Sequence, residues 1–232
     1  MEKYNIEELQ HIQEQLLSKV SLKNNFKKEE IKHVAGVDIA YWTEEGIDYG
    51  VCCVVVFDYS TKEIVEEVSH VANITFPYMS GFLAFRELLL VLETVKKLTI
   101  QPDVYMFDGN GYLHNRHMGI ATHASFDLGK PTIGVAKTYL KINDVDFIMP
   151  ENQVGAYTDI VINNEVYGRT LRTRENVKPI FVSCGNWIDL ETAMEITMYF
   201  IEKDSRLPIT TRFADLATHE ARRVKRDDDR VR

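Results

Sequence analysis

Two aspartates stand where apolar residues are the rule. Asp38 interrupts Val34-Ala35-Gly36-Val37-Asp38-Ile39, a run with strand composition, and Asp108 ends a short apolar run just before Gly109-Asn110-Gly111. A buried carboxylate is costly unless it is paired or bound to a cation. Ligands of open α/β sheets sit at the carboxyl ends of strands, which is where Asp108 falls. Glu87, just after Arg86 in the first turns of an expected helix, and Asp215, in Thr211-Arg212-Phe213-Ala214-Asp215, are further candidate acids. Such a set of hard oxygen ligands suits Mg²⁺. Phosphodiester hydrolysis assisted by a metal needs it, to activate a water and to stabilise the leaving oxygen. Each acid also has a plainer reading. An Asp at a strand end serves as a turn or cap residue, and Glu87 would be a solvent-facing helical glutamate.

Lys137 follows an apolar run at residues 132–135. It is either a surface lysine or a cation placed to hold the scissile phosphate. His114, His117 and His123 lie close together, and His114-Asn115-Arg116-His117 has HxxH spacing. No HExxH pattern or Cys partner accompanies it, so the zinc reading is weak, and the histidines fit contacts to phosphate or to a pocket better. Tyr78 sits in Phe76-Pro77-Tyr78-Met79-Ser80-Gly81, where Pro and Gly make a rigid tip. An aromatic exposed on such a tip can wedge against a base; the alternative is a tyrosine folded back onto the sheet.

The elements that must position these residues follow from the pattern. Residues 5–30 carry apolar positions at helical spacing. Residues 33–41, 49–58 and 63–71 read as strands joined by tight turns at 44–46 and 59–62, an antiparallel meander. Residues 51–57 are apolar throughout, as in a central strand buried on both faces. Then follow a helix over 81–98, a strand over 104–107, a helix over 119–128 and a strand over 132–135. That alternation is a βαβ unit with parallel pairing. Strands over 159–162 and 165–171 flank a hairpin turn at Asn163-Asn164. A strand over 180–183 and a helix over 189–201, capped by Asp189, complete the pattern. No linker or repeat divides the chain, which reads as one domain over 1–232, with residues 221–232 as a flexible charged tail.

The composition fits. The chain has 232 residues and a net charge of −8, with 45% hydrophobic and 27% charged residues, so a single globular domain is expected rather than a fibre or a disordered chain. Its apolar runs fall well short of the ~20 residues that a bilayer demands, and no membrane partner is expected. Three cysteines without CxxC spacing make neither a disulfide framework nor a zinc site. With no apolar leader, the expected location is cytoplasmic. The negative charge disfavours broad coating of nucleic acid but leaves local contacts open. Three basic clusters could make them: Lys23, Lys27, Lys28 and Lys32; Arg169, Arg172, Arg174 and Lys178; Arg222, Arg223, Lys225 and Arg226. Each could equally be a solvated face.

The blocks Val34-Ala35-Gly36-Val37-Asp38, Pro77-Tyr78-Met79-Ser80-Gly81-Phe82-Leu83-Ala84-Phe85-Arg86-Glu87, Asp108-Gly109-Asn110-Gly111-Tyr112-Leu113-His114 and Pro131-Thr132-Ile133-Gly134-Val135-Ala136-Lys137 together resemble the endonuclease V family. A fifth block, Arg206-Leu207-Pro208 through Asp215, is similar to the family's C-terminal motif. The resemblance implies an RNase H-like α/β fold, a mixed five-stranded sheet with an antiparallel meander and then parallel strands, flanked by helices. It implies Mg²⁺ as cofactor, with Mn²⁺ also supporting activity. Asp38 and Asp108 are the implied metal ligands, with Glu87 and Asp215 as further acids and Lys137 at the cleaved phosphate. His114 is implied in the active-site loop and Tyr78 as the wedge. Gly81, Leu83, Gly109, Gly119 and Ile120 are implied to form the pocket for a flipped hypoxanthine. The implied reaction is hydrolysis of the second phosphodiester 3′ to deoxyinosine in damaged DNA, leaving a 3′-hydroxyl and a 5′-phosphate, by a monomer.

One departure bears on substrate. Many bacterial members carry Pro-Tyr-Ile-Pro-Gly where this chain has Pro77-Tyr78-Met79-Ser80-Gly81, and losing the second proline loosens the tip. The serine, with Asp-Gly-Asn-Gly in the catalytic loop, is similar to the branch that prefers inosine in RNA. An endoribonuclease with the same site is therefore the alternative. A binding protein without catalysis on the same scaffold is a third reading, disfavoured because all four acids are present.

Overall fold

The computed structural model describes residues 4–231, with side chains described through Lys225; Arg232, the last residue of the expected tail, lies outside the described residues. Helix α1 (Ile6–Leu17) opens the fold, with the Asn5 side chain accepting from the amides of Glu7 and Glu8. The helical spacing suggested a helix to residue 30, but α1 stops at Leu17. Beyond it, Ser21 and Asn25 bond the segment around Asn186 and Trp187, so tertiary contacts override the local pattern. A single 3₁₀ turn, Lys28–Glu30, is the helix that remains there.

The meander is present as β1 (His33–Glu44), β2 (Ile47–Asp58) and β3 (Ile64–Asn73), all antiparallel. Glu45 and Gly46 both take positive φ, which is the chemistry of a two-residue hairpin turn. Then come α2 (Leu83–Val95), β4 (Val104–Asp108), α3 (Ile120–Leu128) and β5 (Thr132–Ala136). Strand β4 pairs parallel with both β1 and β5, so the RNase H-like order is in place. Strands β6 (Tyr157–Ile162), β7 (Glu165–Leu171) and β8 (Ile180–Asn186), with helices α4 (Leu190–Tyr199) and α5 (Ile209–Val231), follow. The sheet has eight strands in the order β3-β2-β1-β4-β5-β8-β7-β6, not five. The β6–β7 hairpin, turning at Asn163-Asn164 with positive φ at both, extends the sheet past β8.

Alternation along the strands builds two large cores, and a third, smaller cluster joins Leu113, Ile142, Ile160, Ile162, Tyr167 and Phe181. Val34, Met106, Ile133 and Val135 pack with Met194, Ile196, Phe200, Ile209 and Ala214 of α4 and α5. Ala35, Val37, Val54, Tyr105 and Phe107 pack with Leu90, Val91, Ala121 and Ala124 of α2 and α3. Residues of β2 from 51 to 57 are buried, as a central strand covered on both faces requires. Helix α5 runs on as helical backbone through Val231, over most of the charged end of the chain. No helix among the described residues is long and apolar enough to cross a membrane.

Candidate active site

Strands β1 and β4 run parallel with Val37 opposite Phe107, so Asp38 and Asp108 project side by side from neighbouring strands. The third acid arrives on α5. This helix crosses β1 at Gly36, where a Cβ would lie 2.0 Å from the carbonyl oxygen of Thr210. Only glycine permits that approach, and it sets Asp215 and Thr218 over Asp38. One carboxylate oxygen each of Asp38, Asp108 and Asp215 lies within 4.8 Å of the others, and among the described residues no other group of His, Cys, Asp and Glu converges in this way.

The surroundings of these acids are polar and half-buried. The Thr218 hydroxyl donates to Asp38 Oδ2 at 2.8 Å. Burial, reinforced by the neighbouring Asp108, pushes the Asp38 carboxyl up to about 6. Asp108 is also raised, because burial outweighs its bonds to Lys137. Lys137 Nζ lies 2.6 Å from Asp108 and 2.9 Å from Asp215. Burial opposes its charge, yet these two carboxylates raise its pKa above the usual lysine range. Close oxygen ligands whose mutual repulsion is only partly relieved form a donor set that fits a hard divalent cation.

Glu87 departs from its reading as a solvent-facing helical glutamate. It faces neither solvent nor the three converging oxygens but is buried on α2, with its carboxylate accepting from the Tyr41 hydroxyl. Burial pushes it up to about 7, against the Tyr41 hydrogen bond and with the charge of Asp38 adding to the rise. Of the two further acids, Asp215 joins Asp38 and Asp108, and Glu87 stands behind them.

A pocket of about 160 Å³ opens beside the acids, lined by Tyr78, Gly81, Leu83, His114, Gly119 and Ile120, six of the residues anticipated from the sequence. Gly109 is not in its wall; a Cβ there would lie 2.9 Å from Ile120 Cγ2, so it backs the wall from behind. Asn110, Ala84, Met118 and Leu140 also line the pocket and were not anticipated. Tyr78 is 74% exposed, an outward tip rather than a ring folded onto the sheet. Burial, with Arg116 adding to it, brings His114 down to about 4, so it faces the pocket as a neutral imidazole.

The other candidates find structural partners. His117 stacks on Tyr112 at 3.9 Å, and His123 is buried edge-on to Phe85. Arg169 pairs with Asp159 and Glu191, and Arg172 donates to the carbonyls of Pro150, Glu151 and Val177. Lys28 pairs with Glu195. Two site neighbours, Thr218 and His219, went unnoticed in the sequence. The imidazole of His219 lies 3.9 Å from Asp215, four residues back on the same helix. Helical spacing from Asp215 would have found both had α5 been recognised.

Comparison with known proteins gives one consistent result. Residues 14–216 match the protein-family profile described as Endonuclease V. A protein named Endonuclease V from Bacillus thuringiensis is 66% identical over 222 residues, covering 96% of this chain and 94% of that protein. The crystal structure of endonuclease V from Bacillus subtilis superposes with a TM-score of 0.94 at 54% identity, covering 98% of this chain and 96% of the other. The Ciona intestinalis endonuclease V, crystallised with a 24mer DNA containing an inosine followed by a ribo-adenosine, gives a TM-score of 0.83 at 29% identity, with 94% and 98% covered.

Proposed function

The chain belongs to the endonuclease V family, a family of nucleases, and we propose from that premise that it is a Mg²⁺-dependent repair endonuclease that finds deoxyinosine and cuts the second phosphodiester 3′ to it. The observation that carries this reading is the convergence of Asp38, Asp108 and Asp215 at one strand end, beside a pocket roofed by Tyr78. Asp38 and Asp108 would hold the cation, with Asp215 beside them. When bound, a divalent cation supplies activation of the attacking water and charge for the leaving oxygen.

The remaining work falls to the chain's own residues. Tyr78 fills the gap left by an extruded base, and the pocket receives that base. Hypoxanthine offers an O6 acceptor and an N1–H donor, where adenine presents the reverse, so a pocket built to bond one edge leaves buried groups unpaired against the other. A poorly paired base also costs less to extrude. Lys137 carries positive charge to the scissile phosphate. The products are a 3′-hydroxyl and a 5′-phosphate. One chain supplies all these parts, consistent with a monomer, and the expected location is cytoplasmic.

Inosine-containing RNA is the second reading. Ser80 in the wedge loop and the ribo-adenosine in the Ciona complex favour it. The deciding experiment incubates end-labelled strands in Mg²⁺: one with a single deoxyinosine, an RNA with inosine at the same place, and an undamaged control. A cut one nucleotide beyond the deoxyinosine supports the repair reading. A cut in RNA alone moves the same site to transcripts, and no cut in either removes both.

A further inference from the structure

Gln13 is a polar residue with no exposed surface, on helix α1, distant in sequence from every acid of the site. Its amide has two partners. Nε2 donates to the carbonyl oxygen of Gly81 at 3.0 Å, and Oε1 accepts from Nε of Arg116 at 2.5 Å. Arg116 Nη2 donates to the same Gly81 carbonyl at 2.7 Å, and its guanidinium lies 4.4 Å from the centre of the Phe82 ring. The three residues close a ring of hydrogen bonds around one carbonyl.

That carbonyl ends the loop that carries Tyr78. Gly81 has φ +80°, and a Cβ there would lie 2.7 Å from Arg116 Nη2, so backbone and guanidinium fit together only with glycine. Arg86 holds the loop's other end, donating Nη1 to the Phe76 carbonyl. Tyr78 therefore stands on a span fixed at both ends by guanidinium groups, and the one at the pocket end is itself seated on Gln13.

An apolar residue would cover this face of α1 equally well. A buried amide that satisfies one donor and one acceptor fixes direction instead, because only one orientation avoids an unpaired group. We propose that Gln13 is a positioning residue for base recognition. It holds Arg116 and the Gly81 carbonyl, and so sets Tyr78 over the pocket without touching the substrate. This rests on the inosine reading above.

The test uses the full chain with Gln13→Met, which keeps the volume and removes both bonds, and Gln13→Glu, which keeps an acceptor for Arg116 but loses the donor to the Gly81 carbonyl. Three quantities are measured beside the melting temperature: KM and kcat on the deoxyinosine strand, cleavage relative to an adenine strand, and hydrogen exchange of the amides of residues 78–82. For Gln13→Met the expected result is a KM raised by about tenfold with a much smaller change in kcat. Selectivity for inosine should fall and the loop amides should exchange faster. Gln13→Glu should raise KM in the same direction, because it keeps the bond to Arg116 but sets a carboxylate oxygen against the Gly81 carbonyl. A folded Gln13→Met with parental KM and selectivity overturns the proposal, as does a loss confined to kcat. If Gln13→Met does not fold, parental KM and selectivity in folded Gln13→Glu overturn it equally. A parent chain that ignores inosine overturns the function proposed above and this base-recognition role with it; the exchange measurement then still separates that failure from an idle clamp.

Discussion

The ammonium of Lys137 lies 2.6 Å from the carboxylate of Asp108, one of the three acids that would also face a metal ion. Lysine and cation thus draw on the same negative charge. Removing the lysine should relieve that competition while taking charge away from the phosphate. Lys137→Met is expected to lower cleavage by about 10²–10³-fold. Mn²⁺ titration of the free protein should show tighter binding than in the parent. Weaker Mn²⁺ binding would mean that Lys137 organises the acids rather than competing for them.

Asp38→Ala should separate binding from chemistry. It removes a ligand on β1 but leaves the pocket and Tyr78 intact. Cleavage should fall by roughly 10³-fold or more, with affinity for the deoxyinosine strand held within a few-fold of the parent. Normal cleavage in Mg²⁺ would sink the metal assignment.

Tyr78→Ala should do the opposite. The ring is exposed and supports no core, so the melting temperature should stay parental. Losing a stacking partner should weaken lesion binding by about ten- to a hundredfold. Fluorescence anisotropy with labelled strands reads this directly, and equal affinity in parent and variant would remove the wedge role.

The raised carboxyls give a signed pH dependence. Folded Asp38 titrates at about 6 and Glu87 at about 7, both above their unfolded values of 3.8 and 4.5. Protonated forms are favoured in the fold, so their stability contribution is complete below about pH 4 and is lost as pH rises through 6 and 7. Without a divalent cation the melting temperature should fall over that interval, and Asp38→Asn should flatten the fall. Saturating Mg²⁺ should recover several degrees at pH 7.5 and almost nothing at pH 5, because the ligands must be ionised to bind. A gain independent of pH would mean that the cation binds elsewhere.

Much of the frame was legible because its signals are local. Apolar runs broken by turn residues gave the meander and the βαβ unit, and carboxylates inside such runs marked Asp38 and Asp108. The signals failed where packing is decided at a distance. Helix α5 carries an apolar stripe that went unread among the charged residues of this end of the chain, and its close seat, with Ile209 and Ala214 in the core, depends on the bare backbone of Gly36, 174 positions before Thr210. With the helix unseen, Thr218 and His219 had no visible link to Asp215. Glu87 and Gln13 failed for a related reason: polar residues on amphipathic helices look solvent-facing until a partner such as Tyr41 or Arg116 is placed opposite.

Gly36→Ala tests that contact. A methyl group 2.0 Å from a backbone oxygen forces β1 and α5 apart. Overpacking of this kind costs about 1–3 kcal/mol, and cleavage should fall further than stability because Asp215 and Thr218 move with the helix. Parental cleavage in a folded variant would show that α5 can shift without consequence.

The same crossing has a consequence for biosynthesis. A ribosome delivers Asp38 and Asp108 well before α5, and until Asp215 emerges the emerging chain holds two acids of the three. The set of three converging carboxylates is therefore completed last, after every strand of the sheet has been made. A polypeptide interrupted anywhere before α5 would lack both the third acid and the side chains of Ile209 and Ala214 that pack into the core beneath it.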